Sequence, residues 1–307
     1  DGGMCSLKNL ELARVREALR ERKVWENITP NLVYPMPFLA PAYQTATQST
    51  GNFAPRLPLF DLLAWDRTKT WDKSKRLPKH KALGRKKVLA MEPFLRKEGL
   101  TGGQLYYDCQ NIFPERAALA FVRSAYKKNA AIANYARVDA IHKRDKNGLL
   151  RLEISDLLQG NTHTLRARQV VNATGAWAGQ VLQDAQGQVQ APGTGFAEGV
   201  FIITKKINHQ HAIALAAQTG GRLLVIPWRG HSLIGPLEQA WQGNPDNYKV
   251  RPQRVDTLMD EVNRHIGTTP LTWADVRYAY GGVHLTGSGA DCSPKHEITD
   301  HAEEGFD

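Results

Sequence analysis

Apolar positions along this chain recur with two different periods, and the change between them divides it. From Leu7 to Asn27 the apolar residues Leu10, Leu12, Val15, Leu19 and Val24 stand among many charges. That spacing predicts an amphipathic helix, ended by Pro30, Pro35 and Pro37. Asn52 to Leu100 is rich in proline and lysine, with short apolar pieces such as Leu59 to Trp65 that predict short helices. Pro114 to Lys128 opens with proline and an early glutamate and sets Leu119 and Val122 on one face, a helix with a proper start. The period then shortens to that of strands, at Ala130 to His142, Leu149 to Leu157 and Thr162 to Val171. They are joined by the turn sequences Asp145-Lys146-Asn147-Gly148 and Gln159-Gly160-Asn161. Val170 and Val171 read as a buried strand running into Thr174-Gly175, a small corner where backbone can approach a ligand, or an ordinary strand-to-helix turn. Further strands are expected at Val200 to Thr204, Arg222 to Pro227, His231 to Gly235 and Val276 to Val283, with a helix over Asp256 to Ile266. This half reads as an antiparallel sheet flanked by helices.

Composition narrows the class. With 307 residues and 42% hydrophobic content the chain has material for one large or two ordinary domains. Charge interrupts every apolar run before it reaches bilayer length, and no signal-peptide pattern opens the chain. Cys5, Cys109 and Cys292 are odd in number and far apart, which favours a reducing compartment over a disulfide framework or zinc site. The net charge of +10 is local, because Arg67 to Lys87 holds ten lysines and arginines against the single acid Asp72. That distribution argues against a nucleic-acid protein with a basic face. It leaves a plain solvated segment or a contact with anionic lipid, to which each basic residue contributes on the order of 1 kcal/mol.

The segment Val170-Val171-Asn172-Ala173-Thr174-Gly175-Ala176-Trp177-Ala178 resembles the second flavin-contacting turn of the FAD-dependent glycerol-3-phosphate dehydrogenases, a branch of the D-amino-acid-oxidase-like flavoproteins. Other blocks agree, in the family's order. Asp1-Gly2-Gly3-Met4 with the arginine-rich stretch Leu10 to Arg22 is similar to a His-Gly-Gly-Leu turn and its helix. Pro30 to Leu39 matches the proline-punctuated start of the substrate domain. Gly102 to Gln110 with Glu115-Arg116 resembles a Gly-x-x-Tyr-Tyr-Asp-x-Gln block. Leu224 to Gly230, Leu233 to Gly235 and Gly243-Asn244-Pro245 look like later substrate-domain strands.

The resemblance implies an α/β fold with α+β elements: part of an FAD-binding, Rossmann-like domain of the GR2 type and a substrate domain built on an antiparallel sheet. Residues 1–30 and 101–185 would belong to the FAD domain and 31–100 and 186–290 to the substrate domain, with 291–307 returning toward the first. The Gly-x-Gly-x-x-Gly turn that holds the FAD pyrophosphate is not in the sequence, Gly281-Gly282 and Gly287-Ser288-Gly289 having the wrong spacing and context. The chain therefore reads as an internal piece of a longer enzyme, inactive by itself.

Implied cofactor contacts are Gly2, Gly3, Val138, Thr174, Gly175 and Trp177, with a plain core valine as the other reading of Val138. Where the family places an Arg-Tyr pair, a histidine and an arginine around the substrate, this chain has Cys5, Ser6, Phe201 and His284. His284, beyond Gly281-Gly282-Val283, is the expected catalytic base or else a surface histidine, and Arg229 or Arg277 the expected substrate cation, Arg229 first. His231 is expected in a turn, and Tyr107 and Asp108 between sheet and helix, Asp108 capping the helix start. The activity implied is hydride transfer from a small polyol phosphate or hydroxy compound to FAD, within glycerol metabolism, with quinone or oxygen as electron acceptor. An oxidase of amines or 2-hydroxy acids, and a non-catalytic homologue, are the alternatives. Location is expected to be cytoplasmic, with peripheral contact to the inner face of the membrane through 67–87, and no nucleic-acid partner. No Gly-x-Ser-x-Gly elbow, Walker-type loop or metal-spaced histidine pair points elsewhere.

Overall fold

In the computed structural model, residues 6–7, 10–44, 55–181, 195–218, 221–286 and 298–301 are described. The chain divides into two compact units. The larger joins Asp1–Phe121, Glu198–Gln239 and Lys249–Gly282, and the second joins Val122–Ala197, Ala240–Tyr248 and Val283–Asp307.

Helix α1 (Leu12–Ile28) leads into strand β1 (Val33–Tyr43). Then come α2 (Leu57–Leu63), β2 (Lys81–Gly84), α3 (Arg85–Met91), β3 (Leu100–Asn111) and α4 (Pro114–Tyr126). Strands β4 (Ala136–His142), β5 (Leu150–Asp156) and β6 (Thr162–Ala167) follow. The chain continues through β7 (Phe196–Lys205), β8 (Ala212–Ala216), β9 (Arg222–Trp228), β10 (His231–Trp241), α5 (Pro252–Asn263) and β11 (Val276–Leu285).

Eight strands form a sheet in the order β11-β7-β10-β9-β8-β1-β3-β2. It is mixed and not purely antiparallel as expected, since β1 meets β8 in parallel at Phe38↔Ala212 and Leu39↔Ile213. Pro35 and Pro37 lie inside β1 instead of ending a helix, and β1 still pairs with β3 from Val33↔Asn111 to Ala42↔Gly102. Pro35, Pro37 and Pro41 share one parity, so their missing N–H groups all fall on the same side of the strand.

Strand alternation gives the sheet two faces. On one, Leu39, Leu105, Ile213, Leu223, Val225 and Ile234 pack with Val255, Leu258 and Val262 of α5 and Val88 of α3. On the other, Phe38, Ala40, Tyr106, Ala212 and Ala214 are covered by Val15 and Leu19 of α1 and Leu57 and Phe60 of α2. Each buried Leu, Ile or Phe contributes about 1.5–3 kcal/mol. Charged residues lock α1 in place. Asp66, buried, receives both Nη atoms of Arg16 at 2.6 and 2.9 Å and Lys23 Nζ at 2.5 Å, which holds its carboxyl well below the usual range. Glu92, fully buried, accepts the backbone N–H groups of His209, Gln210 and His211 and lies 2.8 Å from His211 Nδ1. Burial would raise its pKa, but these bonds together keep it low.

The second unit holds the three-stranded meander β4-β5-β6. Both of its turns form where expected, with Gly148 at φ 72° and Gly160 at φ 76°. Asp145 accepts the N–H of Asn147 and Asp156 that of Leu158, so each turn carries its own side-chain bond. The last strand ends at Ala167, short of Val171. Val170 packs beside Ile141, Leu150 and Leu152, whereas Val171 is 83% exposed, so the expected buried Val-Val strand is not formed. In α4 only Ala117 is buried, while Leu119 and Val122 are exposed.

Among the described residues no helix is long and apolar enough to cross a membrane. The basic segment is less solvated than its composition suggests. Lys75 is buried, its Nζ donating to the carbonyls of Pro30 and Val33 and lying 4.5 Å from the Tyr34 ring.

Candidate functional site

In the larger unit, Phe201 on β7 stacks on Tyr280 of β11, with centroids 5.3 Å apart and planes at 9°, and Tyr278 lies 6.2 Å from Tyr280. Backbone makes room for this stack. Gly235 on β10 has φ 139°, and a Cβ there would lie 2.7 Å from Phe201 Cδ1 and from the Val200 carbonyl oxygen. Tyr278 is 62% exposed and Tyr280 38%, so the aromatic surface is open. Burial first, and the Glu115 carboxylate second, push the Tyr280 phenol up.

Arg229 occupies the two-residue turn between β9 and β10, at φ 51° followed by Gly230 at φ 80°, the positive pair that tight hairpins favour. Its guanidinium sits 5.0 Å from the Phe113 ring and 5.4 Å from that of Trp228. Arg116 approaches the same Phe113 ring at 5.9 Å. Stacking fixes the planar cation while leaving its edge N–H groups for an anion. His231 begins β10 directly after this turn, its Nδ1 3.1 Å from the Arg229 carbonyl, which agrees with its expected place. Along the same sheet, Tyr106, Asp108 and Gln110 of β3 and Arg222, Leu224 and Ile226 of β9 line a cavity of about 200 Å³ floored by Met36 and Phe38. Tyr106 stacks on Phe38 at 5.3 Å, and burial raises its phenol to about 12, far from any acid-base role near neutrality.

Asp108 does not cap a helix. It is buried on β3, where Arg22 Nη1 of α1 reaches it at 3.3 Å and the Cys109 N–H at 2.9 Å. The turn before α4 is held instead by Asn111, whose side chain accepts the Phe113 N–H. Burial pushes the Cys109 thiol up, and its Sγ donates to the buried Glu26 at 3.2 Å, so it is no nucleophile.

The residues expected to touch a cofactor fall in the second unit or outside the described residues, where Gly2, Gly3 and Cys5 lie. Val138 is not a core valine: it is 37% exposed, beside a register shift in β4. Gly175 has φ 60° at a short turn, Gly175–Trp177, and a Cβ there would meet nothing within 4 Å. Asn172 builds that turn by accepting the Thr174 hydroxyl at 2.6 Å and donating to the Ala178 carbonyl at 2.9 Å. Trp177 is fixed through Nε1 on Asp246 at 2.9 Å, half of it left exposed. Ser6 is buried, its carbonyl accepting the Glu11 N–H. His284 stands at an exposed position of β11 with Nδ1 3.1 Å from the Leu285 carbonyl, and belongs to the second unit, Arg229 to the first.

Sequence reasoning missed Phe113, Tyr278, Tyr280 and Arg222. The alternation Tyr278-x-Tyr280 within a strand, both on one face, was the signal for two of them.

Comparison with known proteins identifies the family. Residues 2–297 match the family described as FAD dependent oxidoreductase. A glycerol-3-phosphate dehydrogenase of Synechocystis sp. is 31% identical over 99% of this chain and 56% of its own length. An alpha-glycerophosphate oxidase of Streptococcus pyogenes is 26% identical over 95% of this chain and 47% of its own. The chain thus spans about half the length of the curated relatives it matches. Among solved structures, a glycerol-3-phosphate dehydrogenase from Bacillus halodurans complexed with FAD superposes with a TM-score of 0.68 at 21% identity, over 87% of this chain and 47% of that one. A glycine oxidase from Geobacillus kaustophilus follows at 0.58 and 17%, over 93% and 66%.

Proposed function

The chain belongs to the family of FAD dependent oxidoreductases, and from that premise we propose that the polypeptide containing it oxidises a small hydroxy compound, a polyol phosphate first among them, by hydride transfer to FAD. The observations that carry this reading are the exposed Phe201–Tyr280 stack at the β11–β7 edge of the large sheet, a flat apolar surface, and the ring-held Arg229, a rigid cation. FAD supplies the hydride acceptor when bound. Residues present fit part of that cofactor: the open glycine corner at Gly175 suits close approach of a ring system, with Thr174 and Trp177 flanking it and Val138 available to the adenine side. The pyrophosphate fingerprint is not among the residues of this chain. Gly2 and Gly3 complete the proposed contacts.

In this reading Arg229 grips the phosphate through its exposed N–H edge. His284 takes the substrate hydroxyl proton as it leaves, so His284→Ala is expected to lower kcat with little change in KM, and an unchanged kcat would remove it from that role. A second reading follows from Phe201, an apolar ring where the family places a histidine: a less charged substrate, an amine or 2-hydroxy acid. The test is anaerobic addition of sn-glycerol 3-phosphate, then lactate or glycine, to the full polypeptide that contains this chain, purified from cells. Bleaching of its flavin by the phosphate supports the first reading, bleaching only by the others the second, and a full polypeptide that carries no flavin overturns both. The electron acceptor is quinone or oxygen, separated by whether peroxide accumulates in air.

Peripheral membrane contact through 67–87 belongs to the same proposal. It draws on Leu62, Trp65 and Trp71, exposed at 69%, 60% and 80% beside that basic segment. Sedimentation with anionic but not neutral vesicles would support it, and equal recovery with both would overturn it.

A further inference from the structure

Trp177, beside the open glycine corner at Gly175, is held by a distant part of the chain. An indole has one polar atom, the Nε1–H donor, so a single hydrogen bond decides which way its ring faces. Here that bond runs to Asp246 Oδ1 at 2.9 Å, on a residue 69 positions further along the chain. The ring is 41% exposed, so packing alone leaves it room to turn.

Asp246 is itself fixed. It lies in the short turn Pro245–Asn247, where the Asn244 side chain accepts its N–H at 2.9 Å and the Asn244 carbonyl accepts the Asn247 N–H at 2.9 Å. Rings close the two ends of this loop: Trp241 meets Tyr248 edge-on at 6.0 Å, and Phe196 braces Trp241 at 5.9 Å. Between them Gly243 turns the chain at φ 134°, and a Cβ there would lie 3.2 Å from Trp241 Cη2. The other end of the bond is pinned as well, because Asn172 builds the turn that carries Trp177. All of these residues belong to the second unit.

We propose, resting on the reading that Trp177 touches FAD, that Asp246 is a positioning residue for that contact. It fixes the Trp177 indole as a wall of the corner that Gly175 leaves open, so that the ring meets the cofactor in one orientation. The hydrogen bond matters here more than the charge, since Asp246 is exposed and salt screens its field but not its acceptor geometry. An amide oxygen at 246 serves equally.

The full polypeptide that contains this chain is purified from cells as the wild type, Asp246→Ala, Asp246→Asn, Trp177→Phe and the double variant Trp177→Phe with Asp246→Ala. Each is stripped of flavin and titrated with FAD, while flavin emission gives the affinity and visible circular dichroism the setting of the bound ring. Asp246→Ala is expected to weaken rebinding about threefold to tenfold, the range of one hydrogen bond, and to diminish the dichroic band. Asp246→Asn should stay within about twofold of the wild type in affinity and keep the band. In the Trp177→Phe background, where no N–H remains to be held, Asp246→Ala should have no further effect. The exposed position of Asp246 leaves the fold intact in these variants, which far-ultraviolet circular dichroism checks. Equal losses in the Ala and Asn variants, or a loss from Asp246→Ala that Trp177→Phe does not diminish, would overturn the proposal. Flavin bound alike by wild type and Asp246→Ala overturns it alone, whereas a wild-type polypeptide that takes up no flavin overturns the cofactor reading and the proposal together.

Discussion

The two compact units differ in how much of their apolar sequence they cover. In the larger, both faces of an eight-stranded sheet are packed, one against α5 and α3 and the other against α1 and α2. In the second, Ile141, Leu150 and Leu152 form a thin buried core while Ile132, Tyr135, Val138, Leu165 and Val171 stay exposed. A hydrophobic pattern determines which side chains seek cover, not whether the same unit provides it. The larger unit packs both faces of its sheet and still leaves apolar surface at Trp71 and Tyr278, whereas the second unit's described residues leave it around a core of three buried side chains.

The comparison can be broken most forcefully in the larger unit. Asp66→Ala leaves Arg16 and Lys23 without their buried partner and is expected to cost about 3–5 kcal/mol, read as a fall in denaturant midpoint. The same carboxyl gives a pH signature. Because its folded pKa is depressed, its stabilisation is fully present above the ordinary carboxylate value near 4 and fades as pH falls below that. Melting temperature should therefore drop below about pH 4 more steeply in the wild type than in Asp66→Asn.

Next in size is Leu150→Ala, which removes a fully buried member of the thin core, at about 2–5 kcal/mol. Hydrogen exchange should show β4, β5 and β6 losing protection while β9 and β10 keep theirs. Equal loss in both would mean the units fold as one. Gly175→Val forces a β-branched residue to φ 60°, costing about 1–2 kcal/mol locally, and should lower flavin retention without touching the larger unit. The smallest stability effect is that of Arg229→Met, near zero in melting, with KM for a phosphate substrate raised at least about tenfold and kcat less affected. A change confined to kcat would remove Arg229 from substrate binding.

Much of the fold was legible where one period dominates. Helices α1 and α4 and the two turns of the meander lie where spacing and turn residues put them, while α5 runs Pro252–Asn263 instead of Asp256 to Ile266, and β4 starts at Ala136 instead of Ala130. Strand β8 was not, because Ala212-Ile213-Ala214-Leu215-Ala216 is poor in strand formers and nearly all buried, which erases alternation. β1 was hidden by its prolines, tolerable only because they share a parity. The candidate site was less legible. Arg229 could be named as a candidate cation, but its clamp depends on Phe113, distant in sequence. Charge counting also failed at Lys75, since composition registers a cation and not the carbonyls that bury it.

Gly235 and Phe201 show what such packing does over evolutionary time. The ring occupies the volume a side chain at 235 would need, and the backbone angle at 235 is one that other residues resist. The constraint runs one way, because a Cβ at 235 also meets the Val200 carbonyl oxygen at 2.7 Å whatever residue stands at 201. Across relatives, position 235 should therefore stay glycine while 201 varies, so that the floor of the aromatic surface is inherited through the backbone and its width through a single letter.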